Sequence, residues 1–523
     1  MHTMTRWPAN LSRSTLLALT VTVVSSVASA QATYDLVYTP LPPGYDEGFC
    51  VGINNFDDAV GVNQALGVAP RSFLFVNGVM TEIKPFDFVA NAYVPCDNAA
   101  RDINDAGTII GDRVPTGLTV LKPYKLDGTL GSGGSLTTYL MSQPTQLGYG
   151  LKINNNGVFG VTSRRTEFGS NWRNLLMTGP ETFVDATGTT ASGYNSGSLT
   201  DISETGTVIS YTSNPQGGYS TQTVLANGTL VPNGSAWFMQ GLSPNGLWRV
   251  GFDLGNVPIL SSAVPPNNGQ GIGLPRPGNL AYQPRDMNDA DEIIGIVYVG
   301  SSILPVIWRN RTTAPERLSD IIDPALAAGR TDWRLVDINA CGVIVGFART
   351  TDGKWRGFVA TPKGGFDLQL YINDYMGNYA DRTAKVELLS SNGSTVLVSS
   401  PRRMNALGEF TFPSTRTGGF QLRIKPDGCL SRVHTTALVP PFRTYVGVQY
   451  TPGDIDNDNE ISILDYLSLS AYFERNSTDG LSPAWTQKDA SGIRPKDADI
   501  DGDGEVSILD YLRLSAAFGQ SGQ

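Results

Sequence analysis

The sequence predicts a mainly β fold: a seven-bladed β-propeller, then a small β-sandwich, then a short α-helical module. Three observations carry that prediction. A turn pattern recurs seven times between residues 48 and 362, at spacings of 40 to 51 residues. Alternating short strands follow over residues 366–450. A loop–helix unit then occurs twice, 45 residues apart.

Composition agrees with a turn-rich β protein. Of 523 residues, charged types make up 16% and hydrophobic types 40%, with 58 Gly and 32 Pro. Low charge with abundant Gly, Asn, Ser and Thr favours strands and turns over helices. The net charge of -10 argues against a nucleic-acid partner, because phosphate binding needs a basic patch.

The N-terminus reads as an export signal. Arg6 and Arg13 supply positive charge, Leu16–Val24 is apolar, and Val27-Ala28-Ser29-Ala30 places small residues before a cleavage site at Gln31. The apolar run is too short to span a membrane, and no transmembrane segment follows. Residues 1–30 are therefore expected to be removed, leaving a secreted or surface-associated chain. Export permits disulfides among Cys50, Cys96, Cys341 and Cys429, with Cys50–Cys96 the first candidate pair. His2 leaves with the signal, so His434 alone remains, and a multi-histidine zinc site is excluded.

The repeats occupy residues 31–363. The recurring pattern is apolar–Asn–x–x–Gly–x–apolar–apolar–Gly, with copies of varying fidelity beginning at Ile53, Ile103, Ile153, Ile202, Leu242, Met287 and Ile338. Asn-x-x-Gly makes a turn between two short strands. An aromatic strand follows most copies, as at Ser72, Val306 and Gly357. Several then show a turn and a fourth strand, at Asn77-Gly78, Asp127-Gly128 and Asn227-Gly228. Four strands per 40–50 residues is a propeller blade, and seven copies predict seven blades. The last copy stops after its third strand. The orphan strand Tyr34–Leu41 is expected to complete it and remove an exposed edge.

The repeats resemble the HAF-type extracellular repeat, whose core reads I-N-x-x-G-x-V-V-G followed by H-A-F-L-W. The first half fits copies one, two, three and seven and is degenerate in the other three. The aromatic half is loose and carries no His. That resemblance implies an extracellular β-propeller with no defined activity. Candidate mouth loops are Asn91–Asn98, Thr212–Tyr219 and Val264–Pro277, whose Tyr93, Tyr219, Asn267 and Asn268 suit a sugar or peptide.

Residues 366–450 alternate with period two, in runs such as Ala384–Leu389, Glu409–Phe412 and Phe420–Ile424. They resemble the small immunoglobulin-like or carboxypeptidase-regulatory-like domains that precede dockerins in exported bacterial proteins, which implies a spacer.

The last module, 451–523, carries the chemistry. Asp454, Asp456 and Asp458 stand at loop positions 1, 3 and 5, with Asp465 at position 12. Asp499, Asp501, Asp503 and Asp510 repeat the spacing. Calcium takes 6–8 oxygen ligands and suits a twelve-residue loop of this kind. Glu460 and Glu505 would give backbone carbonyls, and Ser462 and Ser507 a bridging water. Position 6 needs a sharp turn, which Gly504 and Asn459 tolerate. Each loop is followed by I-L-D-Y-L-x-L-S-A-x-F, a short amphipathic helix. The predicted cofactor is Ca2+ at two EF-hand-type sites.

The pair resembles a type I dockerin module over Thr451–Gly519. The resemblance implies docking to a cohesin-like or other surface protein. It departs at loop positions 10 and 11, where dockerins often carry Ser/Thr-type residues. Ile463–Leu464 and Ile508–Leu509 stand there instead, either as core or as an apolar docking face. Three functions follow as expectations: a binding and docking protein, with polysaccharide breakdown as its setting; a glycoside hydrolase; or a module that only stabilises its own chain. For the hydrolase, Asp102, Asp201, Asp286 and Asp337, each just before the repeat turn, are the carboxylates to watch.

Overall fold

The computed structural model describes residues 34–523 except 84–85, 88–91, 94–97, 114–121, 127–146, 165–172, 180–181, 187–195, 214–218, 228, 232–236 and 264–270. The export signal, Cys96, Asp127, Gly128, Gly228, Asn267 and Asn268 lie outside the described residues. So do most of the three candidate mouth loops.

The chain is mainly β. Seven antiparallel sheets follow one another in sequence, six of four strands and one of three among the described residues. The first comprises Glu47–Ile53, Ala59–Ala65, Val68–Val76 and Val79–Glu82. The seventh comprises Arg330–Ile338, Ile344–Thr350 and Trp355–Pro362, and its fourth strand is Tyr34–Tyr38. Tyr34 lies opposite Pro362 and Tyr38 opposite Phe358. The seventh sheet also packs on the first, with Val343, Val345 and Val359 against Cys50, Ile53 and Phe73. Among the described residues, each sheet thus shares a buried core with the next in a closed succession.

The repeat sequence explains the sheets. The last residue of the Asn-x-x-Gly turn sits at positive φ, as Asp57, Gly107, Gly157, Gly206, Gly246, Asp291 and Gly342. Only Gly, Asp and Asn adopt that backbone readily. The closing glycine has a different role. A Cβ at Gly61 would meet Phe49 O at 2.1 Å, and one at Gly346 would meet Arg334 O at 2.1 Å.

Cys50 is a free, buried thiol, as are Cys341 and Cys429. The expected Cys50–Cys96 bridge is thereby corrected. The Cys50 side chain turns into the seam with the seventh sheet, where its Sγ faces Gly357, rather than toward the second sheet.

A sandwich of two sheets follows. One has the order Glu409–Pro413, Gly365–Ile372, Arg443–Tyr450; the other is Val396–Arg403, Thr383–Leu389, Gly418–Pro426, Arg432–Leu438. Phe366, Leu370, Phe412, Leu422 and Tyr450 fill it. Ala290 and Cys341 from the repeat turns join the same core, so the sandwich sits directly on the sheets. Arg402 pairs with Asp57 at 2.5 Å and Arg403 with Asp58 at 2.8 Å.

The last module holds two helices, Ile463–Ala471 and Ile508–Ala517. Its core joins Ile455, Ile461, Leu469, Tyr472, Ile500, Val506 and Leu514. No helix among the described residues is long and apolar enough to cross a membrane.

Candidate metal centre and docking face

Each acidic loop ends where its helix begins. Ser462 and Ser507 are the N-caps, and Asp465 and Asp510 complete capping boxes three residues on. These two aspartates are fully buried. Asp465 reaches back over the loop: its Oδ1 accepts from Ile455 N at 2.6 Å and its Oδ2 from Ser462 N at 2.8 Å. Asp510 repeats this with Ile500 N at 2.6 Å and Ser507 N at 2.8 Å. The position 12 carboxylates therefore tie the loop's start to its end.

The structure brings Asp454, Asp456 and Asp458 together, with one oxygen of each within 4.8 Å of the others, and does the same for Asp499, Asp501 and Asp503. Asp465 and Asp510 are not among the grouped carboxylates. Glu460 and Glu505 turn their side chains to solvent, and their backbones bridge to Ser521 and Asn476.

The donor set fits a hard cation. Asp454 is fully buried, and its Oδ1 has no hydrogen-bond partner. A buried carboxylate oxygen left so is costly unless something positive meets it. Its Oδ2 accepts from Asn459 N at 3.1 Å and from the Lys425 ammonium. In the second loop, Arg513 lies 2.7 Å from Asp501 Oδ2 but is not aligned as a hydrogen bond, so that oxygen also lacks one. Burial pushes Asp454 and Asp510 above the usual carboxylate range, and Asp499 up to about 6. Crowded, desolvated carboxylates of this kind are what a divalent ion relieves.

The helices settle the question the sequence leaves open. Only Asp465 and Leu469 are buried on the first helix, and Asp510, Leu514 and Ala517 on the second. Ile463, Leu464, Leu467, Ile508 and Leu512 are all more than half exposed, and Leu509 nearly so. Tyr466 and Tyr511 meet edge to face at 5.9 Å between the helices. The apolar periodicity thus paints an outward face, present twice.

A family model describes this segment. A dockerin type I domain is found at residues 452–518. No curated protein matches the chain. Among solved structures, the chain is similar to a mutant type II cohesin–X-dockerin complex from Acetivibrio cellulolyticus. The identity is 17%, over 30% of this chain and 98% of that one, at a TM-score of 0.23. It is also similar to TolB from Acinetobacter baumannii, with 16% identity over 43% and 56% and a TM-score of 0.29. A puromycin hydrolase shares 12% identity over 61% and 53%, at 0.34.

Away from the dockerin domain, the repeat carboxylates converge. Every innermost strand has a bulge just before the turn, as between Ala100 and Asp102 or Leu335 and Asp337. Bulges re-aim the next side chain. Asp102, Lys152, Asp201, Asp286 and Asp337 therefore line one cavity, while the equivalent positions Gly52 and Gly241 leave room for Asp102 and Asp286 of the neighbouring sheets. The acids are not free. Asp102 accepts from Ile153 N at 2.9 Å, Asp201 from Leu242 N at 2.6 Å, and Asp286 and Asp337 from Ile338 N and Ile53 N at 3.2 Å. Each of these donors belongs to the next sheet. Lys152 Nζ lies 3.2 Å from Asp337. This cluster fastens sheets together.

The repeat asparagines do likewise, which the turn reading alone misses. Asn54 Nδ2 donates to Asn104 O at 3.1 Å, Asn104 to Asn154 O at 3.1 Å, Asn154 to Ser203 O at 2.9 Å. Asn288 donates to Asn339 O, and Asn339 to Asn54 O, both at 3.0 Å. The signal for this lies in the 50-residue recurrence of Asn itself, since a turn alone would accept Asp or Ser.

Proposed function

We propose that this is an exported calcium-binding protein whose dockerin domain docks it onto a cohesin-like partner. The seven sheets form a β-propeller that acts as a non-catalytic display or binding domain, with the immunoglobulin-like sandwich as its mount. One ion sits in each acidic loop. Asp454, Asp456, Asp458, the Glu460 carbonyl and Asp465 hold the first; Asp499, Asp501, Asp503, the Glu505 carbonyl and Asp510 hold the second. The observation that carries the reading is the doubled apolar helix face beside two carboxylate clusters. An exposed apolar patch of that kind marks a binding surface on an otherwise polar module. The converging repeat carboxylates accept from backbone donors of neighbouring sheets, which favours a structural role over hydrolysis. A polysaccharide ligand for the propeller stays a secondary expectation resting on the mouth loops.

The test is calorimetric titration of the full chain with calcium. Two ions are expected, one lost in Asp456→Ala and the other in Asp501→Ala. A purified cohesin domain should then bind in calcium, detach on chelation, and fail to bind Leu464→Asp/Leu509→Asp. Calcium uptake without docking in any cohesin class would leave the domain an intramolecular stabiliser. No uptake would overturn the reading.

A further inference from the structure

The two loops are near copies: apart from Ile461 against Val506 at position 8, they differ only at positions 4 and 6. The second has Gly502 and Gly504; the first has Asn457 and Asn459. All four sit at positive φ, at 63° and 75° for the asparagines. Glycine is the easier choice there, so asparagine needs a reason. The reason lies in the sandwich. Its turn at 427–431 lies against the first loop, where Asn457 Oδ1 accepts from Gly428 N at 2.9 Å and Asn459 Oδ1 from Ser431 N at 2.8 Å. Just before the turn, Lys425 Nζ donates to Cys429 O at 2.7 Å and to Asp454 Oδ2. Leu430, at the turn's end, is buried in the dockerin core. The second loop meets the sandwich through its own backbone carbonyls, with Met376 N donating to Asp501 O at 2.6 Å. Its internal cation, Arg513, comes from its own helix.

We infer that the 425–431 segment of the sandwich is a positioning element of the first calcium loop, which is incomplete without it. Asn457 and Asn459 fix the loop's two left-handed residues. Lys425 holds Asp454 by Oδ2 and leaves the partnerless Oδ1 for the ion. Outer partners that orient a ligand change metal affinity by roughly 10–100-fold. The sandwich and the dockerin domain are therefore one calcium-linked unit, whereas the second loop hydrogen-bonds to the sandwich only through backbone carbonyls. The inference rests on the calcium reading above.

The test uses the full chain with Asn457→Gly/Asn459→Gly, which keeps every carboxylate and the positive-φ tolerance but deletes both bonds to the turn. Measured in an Asp501→Ala background, first-loop affinity should fall about tenfold. Measured in an Asp456→Ala background, second-loop affinity should not change, which also shows the domain still folded. Asn457→Asp/Asn459→Asp, which keeps the acceptor oxygens, should bind at least as tightly as the unaltered loop. Unchanged or tighter first-loop binding in the glycine variant overturns this inference while leaving the calcium reading intact. Absence of calcium binding in the unaltered chain overturns both.

Discussion

Lys152 is a partly buried ammonium facing buried carboxylates. It points at Asp337 and shares its cavity with Asp102, Asp201 and Asp286, one from each of four sheets. Burial alone would discharge it, but the four aspartates hold its pKa well above the usual range. They are not all ionised in return. Burial first, tempered by Lys152, pushes Asp102 up to about 7 and Asp201 up to about 6. Burial and the neighbouring Asp337 push Asp286 well up. An acid whose folded pKa is raised binds its proton more tightly in the native state. Its contribution is full below the unfolded value of 3.8 and lost as pH rises through about 7 for Asp102. Removing the ammonium should therefore hurt most where the acids must be charged. Lys152→Met should lose about 3 kcal/mol at about pH 8 and much less at about pH 5, since an unpaired buried charge is the costly species. Urea denaturation at both pH values reads this directly. An equal loss at the two would mean that Lys152 contributes packing rather than charge.

At the scale of the element, the repeat turn shows what a sequence displays and what it hides. Asn-x-x-Gly is local chemistry, because Asn104 Oδ1 accepts from Thr108 N at 2.9 Å within its own turn. That is why the turns are legible. The other half of Asn104, its Nδ2 bond to the turn 50 residues on, has no local signature. The same holds for the acidic loops. Their ligand spacing is legible because all twelve positions lie in one stretch. The part Asn457 and Asn459 play is not, because their partners sit about 28 residues upstream in another module. The helices hide more still: a period of 3.6 announces an apolar face but not whether it points in or out. Asn104 is buried, so Asn104→Ala should strand both Asn154 O and Thr108 N and cost about 2–3 kcal/mol. Asn104→Ser should cost roughly half, because Ser203 shows a hydroxyl serving the local bond, accepting from Thr207 N at 3.0 Å. Denaturant midpoints for the two variants would decide it. A loss below about 0.5 kcal/mol for Ala, as for an ordinary surface turn, would remove the asparagine relay from the account.

At the scale of the whole molecule, stability depends on joining residues far apart in the chain. The last sheet takes its outer strand from the first described residues, and Tyr34 is its anchor. That side chain is fully buried among Ile294, Ile307, Leu318 and Trp333. Its hydroxyl donates to Gly342 O at 3.1 Å, 308 residues away, and accepts from Arg309 at 2.9 Å. The guanidinium also lies 5.1 Å from the ring centroid. Burial raises the phenol's pKa far beyond physiological pH, so it stays a neutral donor. One side chain thus ties the sixth sheet, the seventh sheet and the closing strand. Tyr34→Ala should cost about 3–5 kcal/mol, the range for a large buried aromatic, and should expose the Trp355–Pro362 edge. Tyr34→Phe should cost only about 1–2 kcal/mol, because it keeps the packing and loses the hydroxyl's bonds. Thermal unfolding followed by limited proteolysis separates the two effects. If closure by this strand governs the ring, Tyr34→Ala becomes cleavable in the early sheets, 47–82, as well as the last, while the sandwich core stays protected. Cleavage confined to residues ahead of Glu47 would mean that the strand is an ornament, and that the sheets hold together through the asparagine and aspartate bonds alone.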